Sequence, residues 1–522
     1  MRKTLVVLIT LISTSVIGQE ISESVKNFEH LLNVIDRVYV DSVDADDLVQ
    51  SAIIGMLKDL DPHSAYIAAE DVKKTNEGLV GNFEGIGIQF NIFKDTIMVV
   101  SPISGGPSEK LGIMSGDRIC TVDGENVAGI GIKNKGVGDR LRGKKGTEVV
   151  VGIKRRGEKK LIEYVIIRDK IPIYSLDAAY MATKDIGYIK INRFGRTTMN
   201  EFNQGLDTLY GQGMQHLILD LRGNGGGYLS TAIKLADEFL ESKKLIVYTE
   251  GRNFPKDEKF ATSTGRVEKG KLVVLINRGS ASASEIVSGA VQDNDRGIIV
   301  GRRSFGKGLV QKPYNLPDGA QVRVTIQRYY SPSGRCIQKP YDDYKDDYSK
   351  RLESGEFFHA DSIDFPDSLK FTTPNGRTVY GGGGIMPDVF VPIDTSMTSD
   401  YYTNLLRKGV LYQFTLDYMD SHRDALTAKY NTVDEFQKGF EVDEKLLEEF
   451  VAYGEKKKVE YNDDDFKVSE KPILNLIKSQ FARNIWGTSA YFQIYNQINP
   501  DFLKAIEVIN DGSFEKYKLS YK

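Results

Sequence analysis

Leu272-Val273-Val274-Leu275-Ile276-Asn277-Arg278-Gly279-Ser280-Ala281-Ser282-Ala283-Ser284-Glu285-Ile286-Val287 is the stretch that says most about how this chain folds. Five apolar residues in a row read as a buried strand, the polar residues after them as a short turn. Ile286, Val287, Ala290 and Val291 then fall on one face of a helix. The same order recurs on either side: 186–191 and 217–221 read as strands, 231–240 and 284–291 as helices. Strands alternating with helices from about 172 to 395 make an α/β core.

Outward from that core the texture changes. Residues 24–60 keep helical spacing (Phe28, Leu31, Leu32, Ile35, Val38, then Leu48, Ala52, Met56), and Asp61-Pro62 closes the unit. Between about 78 and 170 short β-type runs at 86–90, 96–100, 118–122, 148–153 and 161–167 are separated by Gly and Asp, the pattern of a small, mostly β domain. Helical spacing returns after 398, with Leu406, Val410 and Phe414 on one face and Ile477, Phe481 and Ile485 on another. Residues 341–380, polar and tyrosine-rich, interrupt the α/β order and read as a surface insertion. The expected division is therefore 1–18, 19–77, 78–170, 171–397 and 398–522.

Five segments suit a chain of 522 residues, too long for one ordinary core. With 40% hydrophobic and 27% charged residues it is neither disordered nor a multi-span membrane protein. Arg2 and Lys3 precede an apolar run at 5–12, and small or tolerated residues follow at 16–18: a signal peptide, too short to span a bilayer. The expected location is the cell envelope, in the periplasm. Losing Arg2 and Lys3 takes the formal charge from −3 to −5, which argues against a nucleic-acid partner. Two cysteines, Cys120 and Cys336, fall in different segments and read as free thiols.

Five scattered histidines offer no metal-ligand pair, so neither a metal nor another cofactor is expected. His216, opening an apolar strand, reads as structural. No G-x-S-x-G anchors a Ser-His-Asp triad. Ser282, however, sits where a helix starts, and there the first amides lack intrahelical partners. The N–H of Ala283 could donate to a developing oxyanion while the Ser282 hydroxyl attacks. The same residues, Ser282-Ala-Ser-Glu285, also spell a capping box that needs no catalysis, so the serine requires a base. Lys307, in Ser304-Phe-Gly-Lys307-Gly308-Leu-Val-Gln311, is the candidate. A free lysine is a poor base at neutral pH and must be desolvated to act as one. Gly306 and Gly308 permit close backbone approach, and the Gln311 amide oxygen could hold the amine in line. Within the same stretch Ser304-Phe-Gly-Lys307 is an S-x-x-K pattern, the alternative of a cell-wall enzyme acting through Ser304, though S-D-N and K-T-G do not follow. The glycine-rich turn 223–227 could present a second oxyanion donor.

Together these pieces resemble the C-terminal processing peptidases, or tail-specific proteases. The likeness runs in order through Leu60-Asp-Pro-His-Ser64, Gly187-Tyr-Ile-Lys-Ile191, Asp220-Leu-Arg-Gly-Asn224, Gly279-Ser-Ala-Ser-Ala-Ser-Glu285, Ser304-Phe-Gly-Lys-Gly308 and Gly384-Ile-Met-Pro-Asp388. It implies a multidomain α/β fold: a ClpP-like α/β protease core, an inserted mostly β PDZ domain, N-terminal helices and a helical C-terminal extension. In that family the nucleophile lies 25 residues before the lysine, which selects Ser282 for Lys307. The resemblance further implies a catalytic set of Ser282, Lys307 and Gln311, an oxyanion hole from Ala283 and Gly226, and cleavage of proteins near their C-termini. This chain has Gly225 where the family usually has Pro. The PDZ module maps onto Gly85-Ile86-Gly87-Ile88 and the stretch 116–124, with 137–142 as the groove helix. Such a groove takes a protein tail as an added strand and its carboxylate on backbone amides. A silent scaffold that only binds tails is the remaining alternative. No residue pattern specifies an adaptor, and a homo-oligomer stays open.

Overall fold

A computed structural model describes residues 23–521 apart from 264, 343, 345, 364 and 365. The expected leader at 1–18 lies outside the described residues. The chain divides into two compact units, with the boundary between Tyr66 and Ile67. Within the first, helices Glu23–Val38 and Ala45–Leu60 form where the apolar spacing placed them. The Asp44 carboxylate caps the second by accepting the amide of Asp46 at 2.9 Å. After it the Asp61 carboxylate accepts the amides of His63 and Ser64 (2.7 and 2.8 Å), so this Asp-Pro-His-Ser stretch is a side-chain-tied turn.

The second unit opens with helix Ala69–Val80, which buries no residue. Next comes the β domain. Strands Ile88–Phe93, Thr96–Pro102, Arg118–Val122, Glu148–Lys154 and Ile162–Ile167 pair antiparallel in that order, leaving Ile88–Phe93 on an edge. Period-two alternation sends Ile97, Ile119 and Ile153 into the domain core and leaves Met98 and Arg118 on the opposite face. The groove helix is Asn134–Leu141 rather than 137–142, because Arg142 is already extended (φ −79°, ψ 161°) and bridges to Gly85.

The α/β core is a six-stranded sheet ordered Leu176–Met181, Ile186–Ile191, His216–Asp220, Leu272–Ile276, Ile298–Gly301 and Val389–Phe390. The first pair is antiparallel and all the others parallel. Continuous apolar runs suit these strands because both faces are covered. Leu219, Val274 and Ile299 face helices that include Ala283–Asp293, while Ile218, Val273 and Ile298 face Phe502, Ala505 and Val508 of helix Pro500–Asn510. The helical extension thus completes the core, besides forming a cluster of its own around Phe436, Phe450 and Phe481. A second sheet, Leu309–Asn315, Gln321–Tyr330, Leu245–Gly251 and Phe254–Phe260, stands beside it.

The 341–380 insertion differs from its reading as a surface loop. It contains helix Asp347–Glu353 and a hairpin of Lys370–Thr372 with Thr378–Tyr380. Three of its charges, Arg351, Glu356 and Arg377, are buried with partners: Arg351 and Arg303 share Glu356, and Arg377 pairs with Asp295 at 2.7 Å.

Candidate active site

Three loops at the carboxyl ends of the parallel strands build the site. Ser282 follows strand Leu272–Ile276 and precedes helix Ala283–Asp293, every residue of which is buried. Its backbone has φ 56° and ψ −111°, a region that residues with side chains avoid at a cost on the order of 1–3 kcal/mol. Hydrogen bonds hold it there. Ser280 Oγ donates to the Leu221 carbonyl at 2.8 Å, and Ser284 Oγ donates to the Asn224 carbonyl at 2.8 Å. Gly226, at φ 102°, closes against the serine so tightly that a Cβ there would lie 2.8 Å from Ser282 Cβ. The Ala283 amide belongs to the first helical residue, as expected for an oxyanion donor.

Lys307 lies in the turn leading to strand Leu309–Asn315, which carries Gln311. Its Nζ donates to Gln311 Oε1 at 2.9 Å. Two side chains tie this turn to the serine. Glu285 Oε2 accepts the amides of both Ser282 (2.8 Å) and Lys307 (2.9 Å), and Oε1 accepts the Gly306 amide (2.7 Å) and the Ser304 hydroxyl (2.5 Å). Opposite, the Tyr329 hydroxyl donates to the carbonyls of Ser282, at 3.1 Å, and of Lys307. The serine and lysine residues are therefore gripped by their amides on one side and their carbonyls on the other. Burial pushes the Glu285 carboxyl up to about 7, against the pull of its donors. Burial, with the Glu285 charge added, holds the Tyr329 phenol well above its ordinary value and keeps it a donor.

Comparison with known proteins gives the chain a family. Residues 185–347 match the profile of peptidase family S41, 85–165 a PDZ domain, 11–71 the N-terminal domain of the activating protease CtpB, and 401–487 a family of unknown function, DUF8443. A carboxy-terminal-processing protease of Bartonella bacilliformis is 38% identical over 314 residues, 59% of this chain and 71% of that one. The chain belongs to peptidase family S41. The carboxy-terminal processing protease CtpA of Bacillus subtilis is 36% identical over 334 residues, 63% of this chain and 70% of its own. Among solved structures a photosystem II D1 C-terminal processing protease aligns at 26% identity and a TM-score of 0.37, over 72% of this chain and 95% of that one. The present S41 peptidase is a C-terminal processing serine protease with a PDZ domain.

Within this S41 peptidase the other expected site residues fall as follows. Gly85, Ile86, Gly87 and Ile88 form a buried loop entering the edge strand Ile88–Phe93, with Gly87 at φ 78°. The Gly226 amide donates to Asn224 Oδ1 at 2.9 Å, so it must exchange that partner to serve an oxyanion. Ser304 is fully buried, gives its proton to Glu285 and accepts the Ile385 amide at 2.6 Å, which leaves the S-x-x-K reading no accessible hydroxyl. His216 Nδ1 accepts the Lys271 amide at 3.1 Å, a structural contact. Both cysteines are free.

Sequence reasoning saw Glu285 only as a cap and missed Tyr329 and Asp501. Asp501 accepts Arg222 Nη1 (2.9 Å) and both terminal nitrogens of Arg302 (3.0 and 2.9 Å), pinning two of the site's loops from the C-terminal extension. Asp220 is buried, which alone would raise its pKa. Arg222 and Lys190 outweigh that and hold the carboxyl well below the usual range. Only Glu285 left a trace in the sequence: an acid in the first turn of a helix whose other residues up to Val291 are small or apolar.

Proposed function

We infer that Ser282 is the nucleophile, that Lys307 is its general base, and that Gln311 steadies the amine. The observation that carries this reading is the Glu285 carboxylate accepting the amides of both residues, because it fixes two strand-end loops as one catalytic unit. In the reaction the neutral Lys307 amine takes the Ser282 proton while Oγ attacks the scissile carbonyl. The oxyanion faces the Ala283 amide, with the Gly226 amide as the second donor once released from Asn224. The Lys307 ammonium then protonates the leaving amine, and water, deprotonated by the same lysine, hydrolyses the acyl-enzyme. No cofactor takes part.

Substrate tails enter through the PDZ domain, where an extended peptide adds to the edge strand Ile88–Phe93 and its carboxylate meets the amides of the loop 85–88. This reading rests on the free edge of that strand and the helix Asn134–Leu141 beside it. The signal-like pattern at 1–18 supports export to the periplasm, which cell fractionation checks. The exposed apolar residues Phe28 and Leu31 of helix Glu23–Val38 support pairing with a second copy, which sedimentation checks.

The deciding experiment is cleavage of an unfolded protein with an apolar C-terminus. Ser282→Ala and Lys307→Ala each lose roughly a thousandfold or more in kcat, and a serine-directed acylating reagent labels Ser282. Cleavage that persists in Ser282→Ala removes it as the nucleophile.

A further inference from the structure

A cavity of about 440 Å³, inside the range common for ligand pockets, opens beside the catalytic loops. Its floor is Gly223, residues 277–279 and Phe305, which follow three neighbouring parallel strands, His216–Asp220, Leu272–Ile276 and Ile298–Gly301. The carboxyl ends of such strands are where open α/β sheets bind ligands. Its roof is the inserted segment, through Tyr344, Tyr348 and Arg351.

Three cations line this cavity, Arg278, Lys339 and Arg351, against the single carboxylate of Asp347. Arg351 is spent on Glu356 and on the carbonyls of Ser304 and Arg303. Lys339, only 6% exposed, pairs with Asp347 at 2.9 Å and lies 4.2 and 4.1 Å from the ring centres of Phe305 and Tyr344. Arg278 Cζ lies over the Tyr348 ring, 4.2 Å from its centre, and no carboxylate pairs with it among the described residues. A guanidinium over a ring keeps its fork of donors open, and that fork matches a carboxylate.

We propose that this pocket is a substrate subsite that receives a carboxylate on Arg278, with Lys339 behind it, and that the inserted segment exists to roof it. Arg278 is four residues before Ser282, at most about 14 Å along the chain. An extended substrate advances about 3.3 Å per residue, so the carboxylate belongs to a residue within about four positions of the cut bond. Two sources share that chemistry: an acidic side chain, or the free C-terminus of a tail cut very close to its end. The proposal rests on the proteolytic reading of Ser282.

Peptides that are otherwise neutral separate these cases, with a single Glu or Gln stepped through four positions on either side of the bond and each made with a free or an amidated end. Two readouts are taken with the full-length enzyme: kcat/KM, and binding by fluorescence anisotropy. Wild type favours one acidic form by roughly tenfold. Arg278→Ala abolishes the preference, Arg278→Lys keeps part of it, and Arg278→Glu reverses it toward a Lys-containing peptide. Arg278 lies outside the PDZ domain, so only a change that depends on it counts. The pair that carries the preference, Glu against Gln or acid against amide end, names the source. Equal preference in wild type and Arg278→Glu overturns the subsite, with or without turnover. An Arg278-dependent preference in binding without any turnover leaves the subsite standing and removes Ser282 instead.

Discussion

Tyr329 offers one hydroxyl proton to two carbonyls, those of Ser282 and Lys307, and nothing in its position suggests any role but alignment. Tyr329→Phe removes that donor from two part-buried carbonyls, of which the Ser282 carbonyl keeps the Glu285 and Ile286 amides, so the stability cost is about 0.5–1.5 kcal/mol. The expected outcome is kcat down roughly tenfold with KM unchanged, read by steady-state kinetics on a peptide; a rise in KM alone counts against alignment. Glu285 couples the same pair to pH. Its folded pKa, about 7, lies above the ordinary 4.5 of a free glutamate, so folding favours the neutral acid. That contribution is complete below about 4.5 and is lost as pH rises through about 7, roughly 3 kcal/mol in all. Catalysis runs the opposite way, because only the carboxylate can accept from Ser282, Ser304, Gly306 and Lys307 together. Wild type should therefore lose stability between pH 5 and 8 while kcat climbs through about pH 7. Glu285→Gln should flatten both, in urea titrations and in the pH profile. A rising limb unchanged in Glu285→Gln belongs to another group.

At the scale of elements, the apolar runs were the legible part. Strands Ile186–Ile191 and Leu272–Ile276 begin and end where hydrophobicity does, since a strand covered on both faces is mostly apolar along its length. Helix Ala69–Val80 escaped because it buries nothing and so carries no apolar stripe. The strained backbone of Ser282 escaped for another reason: φ is imposed by Gly226, Asn224 and Glu285 from outside the residue. The insertion was misread because its stabilising partners are distant in sequence. Arg377 reaches Asp295 at 2.7 Å and Asp388 at 3.2 Å, and Asp388 also accepts the Ile299 amide at 2.8 Å. This ties the hairpin, the serine helix and the last core strand into one buried charge cluster. Arg377→Met strands two buried acids and should cost about 3–5 kcal/mol, seen as a lower urea midpoint that recovers in part at low pH, where Asp388, already raised by burial, takes up a proton.

For the whole molecule, the surprise is what the helical extension holds. Helix Val410–Lys429 lies on the outer face of the PDZ sheet, opposite the domain's own core. Asp420 pairs with Arg118 at 2.9 Å, Arg423 donates to Ser115 Oγ at 3.0 Å, and Leu416 and Tyr412 pack on Phe93 and Met98. Phe93 ends the same edge strand that is expected to receive a substrate tail, so the extension braces that strand from behind. The match of this region to a family of unknown function thus acquires a physical role: it fixes the PDZ module relative to a core that its later helix, Pro500–Asn510, also completes. The Arg118–Asp420 pair is partly exposed, so its own worth is modest, about 0.5–1 kcal/mol. A charge-swap cycle isolates it. Asp420→Arg should raise amide hydrogen exchange in 93–98 about two- to fivefold and loosen tail-peptide binding, whereas adding Arg118→Asp restores the wild-type rates. If the single and double variants exchange alike, the brace is apolar, and Leu416→Ala, which removes the side chain clustered with Phe93 and Met98, should produce the loosening that the charge change did not.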